Sequence, residues 1–200
     1  MSEVNSPRRY VDSDTLKAFS HPLRMRMYDY LKDHGSATAS MLARALGESS
    51  GQTSYHLRQL ERHGLVSEDT ERGSARERWW RPEGFSYGLE SIVDDESKLA
   101  AAVTLQHWSR RAAELQVAWA DAVDGEDEAW SEAAINAEAS LSLTADELAA
   151  LTQRLQAALD EAVEEVAATR DKEAAGQRRV KVFIHAFPLA AEDQPSVVSR

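Results

Sequence analysis

The chain has 200 residues, 42% of them hydrophobic and 28% charged, with a formal net charge of -11 and no cysteine. That length allows one large domain, or a small domain with a second module, and a proper core in either case. Without cysteine there can be no disulfide, thiolate metal site or cysteine nucleophile. No stretch approaches the roughly eighteen uninterrupted apolar residues of a membrane span, and the amino terminus has no apolar signal core, so a cytoplasmic protein without a membrane partner is expected.

The negative charge is segregated. Residues 1–82 carry 13 Lys/Arg against 11 Asp/Glu, residues 83–175 carry 6 against 21, and residues 176–200 carry 4 against 2. Binding to nucleic acid depends on charge within a Debye length of the phosphates, about 8 Å at physiological salt. The acidic middle is therefore unsuited to that contact, and the first 82 residues are not.

In chain order, residues 1–11 read as a flexible arm. "DSDTLKAFS" begins a helix, with Asp12 or Ser13 as its N-cap. Pro22 suits the first turn of a second helix, capped by Ser20, with Leu23, Met27, Tyr30 and Leu31 at helical spacing and Gly35 as its end. A short third helix follows from Thr38 to the Gly47 stop. A fourth begins four residues later in "SSGQTSYHLRQLERHGLV". Two short helices joined by a tight glycine-containing turn form a helix-turn-helix pattern. "GLVSEDTERGSARERWWR" adds two strand-like runs around Arg72, Gly73 and Ser74, which makes the pattern a winged one.

In the fourth helix, Thr53, Leu57 and Leu60 form the buried side, and the opposite side carries Gly51, Gln52, Tyr55, Arg58, Gln59 and Arg62. A merely solvated helix is usually dressed in paired Glu and Lys. Gln can instead bond bidentately to adenine, Arg to guanine or phosphate, and Tyr to phosphate or a thymine methyl. Ser49, Ser50 and Ser54 stand where helix N-terminal amides and hydroxyls can hold a phosphate. In the hairpin, Arg72 and Arg76 at the tip are read as phosphate contacts, and Arg78 and Arg81 as structural or near the backbone.

"LKAFSHPLRMRMYDYL", "ATASMLARALGESSGQTSYHLRQLERHGLV" and the hairpin together resemble the winged helix-turn-helix of ArsR-type transcriptional regulators, in a longer form with an extra C-terminal region. The resemblance covers about residues 12–82. It implies a dimer that reads an inverted repeat in double-stranded DNA, with the helix from Gly51 in the major groove and the wing along the backbone. It places Ser50, Gln52, Ser54, Tyr55 and His56 in the groove and Arg58 on a phosphate. The founding members sense metals through thiolates. This chain has none, and its six histidines show no paired ligand spacing. No metal site and no cofactor are expected, and any effector is a small non-metal molecule of unknown identity.

The remainder opens with a long helix at about 90–123, whose stripe of Leu105, Trp108, Leu115 and Trp119 is the expected dimerisation surface. Residues 135–190 read as strand, helix, strand. "AEASLSLT" alternates apolar and polar, Thr144 to Glu147 fits a capping box, "ELAALTQRLQAALDEAVEEVAATR" is amphipathic, and "RVKVFIHAFPL" is strand-like. Residues 191–200 read as a flexible tail.

The expected fold is thus mainly α with small β (α+β): a winged helix-turn-helix, a long dimerisation helix and a strand-helix-strand module. A dimeric repressor is the expected function. The alternative is a winged helix that binds protein, which would call for an apolar recognition face. Catalysis is not expected, since no nucleophile elbow, phosphate-binding glycine loop or metal motif is present.

Overall fold

The computed structural model describes residues 9–72, 77–169, 171 and 174–189. Most of the expected arm, Arg76 at the wing tip, and the expected tail lie outside them. The described chain is mainly helical with small sheets, in two compact units divided after Gly125.

In the first unit the elements are β1 (Arg9–Tyr10), α1 (Ser13–Phe19), α2 (Pro22–His34), β2 (Ala37–Thr38), α3 (Ala39–Leu46), α4 (Ser50–Arg62), β3 (Val66–Glu68), β4 (Trp79–Pro82), β5 (Phe85–Ser86) and α5 (Asp95–Ala122). The caps explain the boundaries. Asp12 accepts the Thr15 amide at 2.8 Å to start α1, and Thr38 accepts the Met41 amide to start α3. Gly35 and Gly47 end α2 and α3 at positive φ, a conformation that glycine adopts without steric cost. At α2 the N-cap is His21, whose Nδ1 accepts the Leu23 amide at 3.2 Å, and not Ser20. Ser20 instead C-caps α1 and donates its hydroxyl to the Lys17 carbonyl at 2.9 Å.

β4 lies between β2 and β3, antiparallel to both, with Trp80 opposite Ala37 and Glu68. This register turns the Trp80 ring into a core with Leu16, Phe19, Met27, Leu31, Leu42, Leu57, Leu60 and Leu65, while Trp79 is only half-buried. The wing is thereby fixed to the helices by its base. A buried Thr53 hydroxyl donates to the Ala39 carbonyl at 2.9 Å and fixes α4 against the start of α3.

α5 is 28 residues long, about 42 Å at 1.5 Å per residue, and belongs to this unit. Its small buried residues Ser97, Ala100, Ala101 and Thr104 allow close approach to α1. Three polar ties complete the seat: Lys17 to Asp94 at 2.7 Å, His107 Nε2 to Asp29 at 2.6 Å, and Arg111 to Asp33 at 2.9 Å. The Lys17 ammonium and the Ser97 amide hold the Asp94 carboxyl well below the usual carboxylate range.

Trp108 does not join the expected dimerisation stripe. Its ring stacks on Phe19, Phe85 and Tyr87, with centroids 5.6, 5.5 and 6.0 Å away. A 3.6-residue period identifies an apolar face but not the neighbour that covers it, and here the neighbour is the chain's own core. Leu115 is half-buried, whereas Leu105 and Trp119 are 59% and 39% exposed.

The second unit contains α6 (Glu128–Ala133) and α7 (Ala145–Thr169). The Thr144–Glu147 capping box is present: the Thr144 amide donates to Glu147 at 2.7 Å, and the Glu147 amide to the Thr144 hydroxyl at 3.3 Å. The flanking strands of the expected strand-helix-strand module are not formed. Residues 134–144 and 177–189 carry no ladder, and Val180, Val182, Phe187 and Leu189 are exposed. No described side chain from 126 onward is buried. Two short segments make a marginal sheet on their own, so alternation without a further partner does not yield strands.

Candidate nucleic-acid interface

α4 carries the groove-reading candidates. Its buried side is Thr53, Leu57 and Leu60, as the spacing requires, and Ser50, Gly51, Gln52, Tyr55, Arg58 and Arg62 are exposed. Neither Arg58 nor Arg62 forms an ion pair among the described residues. Free guanidinium groups on an exposed face suit an anionic partner, because nothing has to be broken to engage it.

Ser54 and Arg58 turn toward a cleft of about 650 Å³ that they line with Ser40, Glu77, Arg78 and Trp80. It lies between the start of α3, the middle of α4 and the base of the wing. Arg78 also reaches Glu68 at 3.5 Å, and Arg81 donates to the Ser67 hydroxyl at 2.9 Å, so both brace the hairpin. Arg72 is exposed beside the tip.

Gln52 is held in a capping box. Its Oε1 accepts from the Ser49 amide at 3.4 Å and the Ser49 hydroxyl at 3.2 Å, and Ser49 Oγ accepts the Gln52 amide at 3.2 Å. With the carbonyl engaged, the side chain offers only its NH₂ group outward. A bidentate contact with adenine needs both ends, so it requires Gln52 to leave the cap.

His56 is turned from the exposed face toward α2. Its ring lies 4.5 Å from that of His21 and 5.2 Å from that of Tyr55. Burial, then the neighbouring His21 and Arg24, lower its pKa, and burial followed by Arg24 does the same to His21. Both rings are therefore neutral near pH 7. Helical spacing does not reveal this pairing; the one local signal is a histidine directly before a proline at a helix start, which marks it as the cap.

Residues 19–69 match the family model described as a helix-turn-helix domain. These residues are a helix-turn-helix domain. The helix-turn-helix domain spans α2 to β3 and lies within the stretch, about residues 12–82, that carries the ArsR-type resemblance. Among solved structures, the chain is similar to a fragment (residues 1–100) of a possible transcriptional regulatory protein from Mycobacterium bovis. The two are 23% identical over 47% of this chain and 88% of that one, with a TM-score of 0.33. It is also similar to a possible transcriptional regulator for arsenical resistance, at 26% identity over 50% of this chain and 95% of that one, with a TM-score of 0.32. No curated protein matches the chain. Among the described residues no helix is long and apolar enough to cross a membrane, and no three His, Asp or Glu side chains are grouped as for a metal ion.

Proposed function

We propose that this protein is a transcriptional regulator that binds double-stranded DNA as a homodimer, represses at an inverted repeat, and places α4 in the major groove. The observation that carries this reading is the exposed face of α4, where Gln52, Tyr55, Arg58 and Arg62 stand with both guanidinium groups free. The helix-turn-helix domain over residues 19–69 supports it. Ser50 and Gln52 sit at the amino end of the helix, where side chains meet base edges. Arg72 reaches phosphates from the wing.

Dimerisation uses Leu105, Leu115 and Trp119. Their support is the exposure of Leu105 and Trp119 on a helix otherwise seated on its own domain. The second unit, with no buried side chain among its described residues, also needs an external surface to gain a core. Because the chain has no thiolate, its effector in this reading is a small non-metal molecule, and zinc leaves DNA affinity unchanged.

The test is selection of duplexes from a random pool by the purified full chain. A recovered motif whose base preference changes in Gln52→Ala supports the reading. An apparent motif that is indifferent to Gln52, Tyr55 and Arg58 would favour a protein-binding winged helix.

A further inference from the structure

Beside the reading face, α2 and α4 bring together His21, Arg24, Tyr55 and His56, with no carboxylate paired to Arg24 among the described residues. Arg24, on the first turn of α2, is half-buried and interacts electrostatically with the His21 and His56 rings and with Tyr55. Its Nε is buried without a hydrogen-bond partner, as is Nδ1 of His56. No carboxylate or carbonyl engages its guanidinium among the described residues. Glu48, the carboxylate nearest in effect to His56, is held by Arg26 at 3.5 Å.

The state of His21 sharpens the asymmetry. Its Nδ1 accepts the Leu23 amide, which leaves the proton on Nε2 of an exposed ring. The cluster thus offers an imidazole N–H, a guanidinium and the Tyr55 hydroxyl, and no carboxylate among the described residues bonds to them. A half-buried cation without a counter-charge is costly, and a chain with 34 Asp and Glu has no shortage of carboxylates to place there. An acceptor from outside the chain would meet the Arg24 guanidinium next to Tyr55, on the edge of the face proposed for DNA.

We infer that Arg24, with His21 and Tyr55 beside it, clamps a backbone phosphodiester of duplex DNA at the α2–α4 junction. This inference rests on the proposed function and adds to it a phosphate contact carried by α2, outside the wing. Arg24 fixes the orientation of α4 on the duplex and carries no base preference.

The experiment is fluorescence anisotropy of the full chain on a random-sequence duplex through a potassium chloride series, for the wild type, Arg24→Gln and Arg24→Lys. Arg24→Gln is expected to lower the slope of log affinity against log salt by roughly one unit per bound subunit, and Arg24→Lys to retain it. An unchanged slope in Arg24→Gln overturns the clamp while leaving α4 as the reader. Equal losses in both variants also overturn it, since the effect would then follow side-chain shape rather than charge. A wild type that binds no duplex at low salt overturns the clamp and the DNA reading together.

Discussion

Gln52 and Ser49 hold each other at the start of α4, each side chain accepting from the other's backbone amide. The residue proposed to read a base is thus also part of the cap that makes its helix begin. These two roles separate on substitution. Gln52→Glu preserves the box, because Glu serves equally at this position and its charge suits a helix N-terminus. It is expected to melt no lower than the wild type and yet to bind DNA much more weakly, since a carboxylate would face the phosphates. Gln52→Ala loses half the box, and is expected to relax base preference at a cost of about 1–3 kcal/mol on the best site. Thermal melting beside selection from a random pool checks both.

Arg72 should behave differently from Gln52. It is exposed beside the wing tip and makes no ion pair among the described residues, and its proposed contact is with phosphate alone. Arg72→Ala is expected to weaken all sequences alike and to reduce the salt slope by roughly one unit, with the selected motif unchanged. A shifted motif in that variant would place the wing in a groove.

The tryptophans of α5 should divide by role. Trp108 stacks on Phe19, Phe85 and Tyr87, so Trp108→Ala is expected to destabilise the first unit by about 3 kcal/mol in denaturant unfolding. Trp119 is 39% exposed, and Trp119→Ala should leave that stability almost intact while shifting sedimentation toward monomer. A wild type that sediments as a monomer at micromolar concentration would remove the dimer from the proposal.

Acid should loosen the α2–α4 junction. His21 and His56 have folded pKa values below the usual imidazole value of 6.5, so the unfolded chain binds more protons as pH falls through that value. Stability from these rings is full above about pH 6.5 and declines below it. Protonation also turns His21 Nδ1 from an acceptor into a donor facing the Leu23 amide. His21→Asn keeps a good cap without a titrating ring, so its melting temperature should depend less on pH between about 6.5 and 5 than that of the wild type. Identical profiles would show that the ring pair does not couple folding to pH.

How much of this was legible in the sequence depended on whether a signal was local. The order of α1 to α4 and the wing followed from helical spacing, from Asp12, Thr38 and Pro22 at helix starts, and from Gly35 and Gly47 at ends. Ser49-x-x-Gln52 is itself a local capping signature, and it competed with the groove reading of Gln52. Signals that name a face without naming its partner were less informative. Trp108 lies on the α5 stripe but points to its own domain, and the alternation in "AEASLSLT" and "RVKVFIHAFPL" marks apolar faces that find no ladder. The junction of His21, Arg24 and His56 depends on residues 35 positions apart meeting in space, which no periodicity reports.

Selection of duplexes from a random pool by the purified full chain, with the winners sequenced, tests the central claim most directly. Two α4 helices on a two-fold dimer predict an inverted repeat, with half-sites about one helical turn apart or a multiple of it, and with the motif relaxed in Gln52→Ala. Recovery of unenriched sequences, or of a motif that Gln52→Ala leaves unaltered, would contradict it.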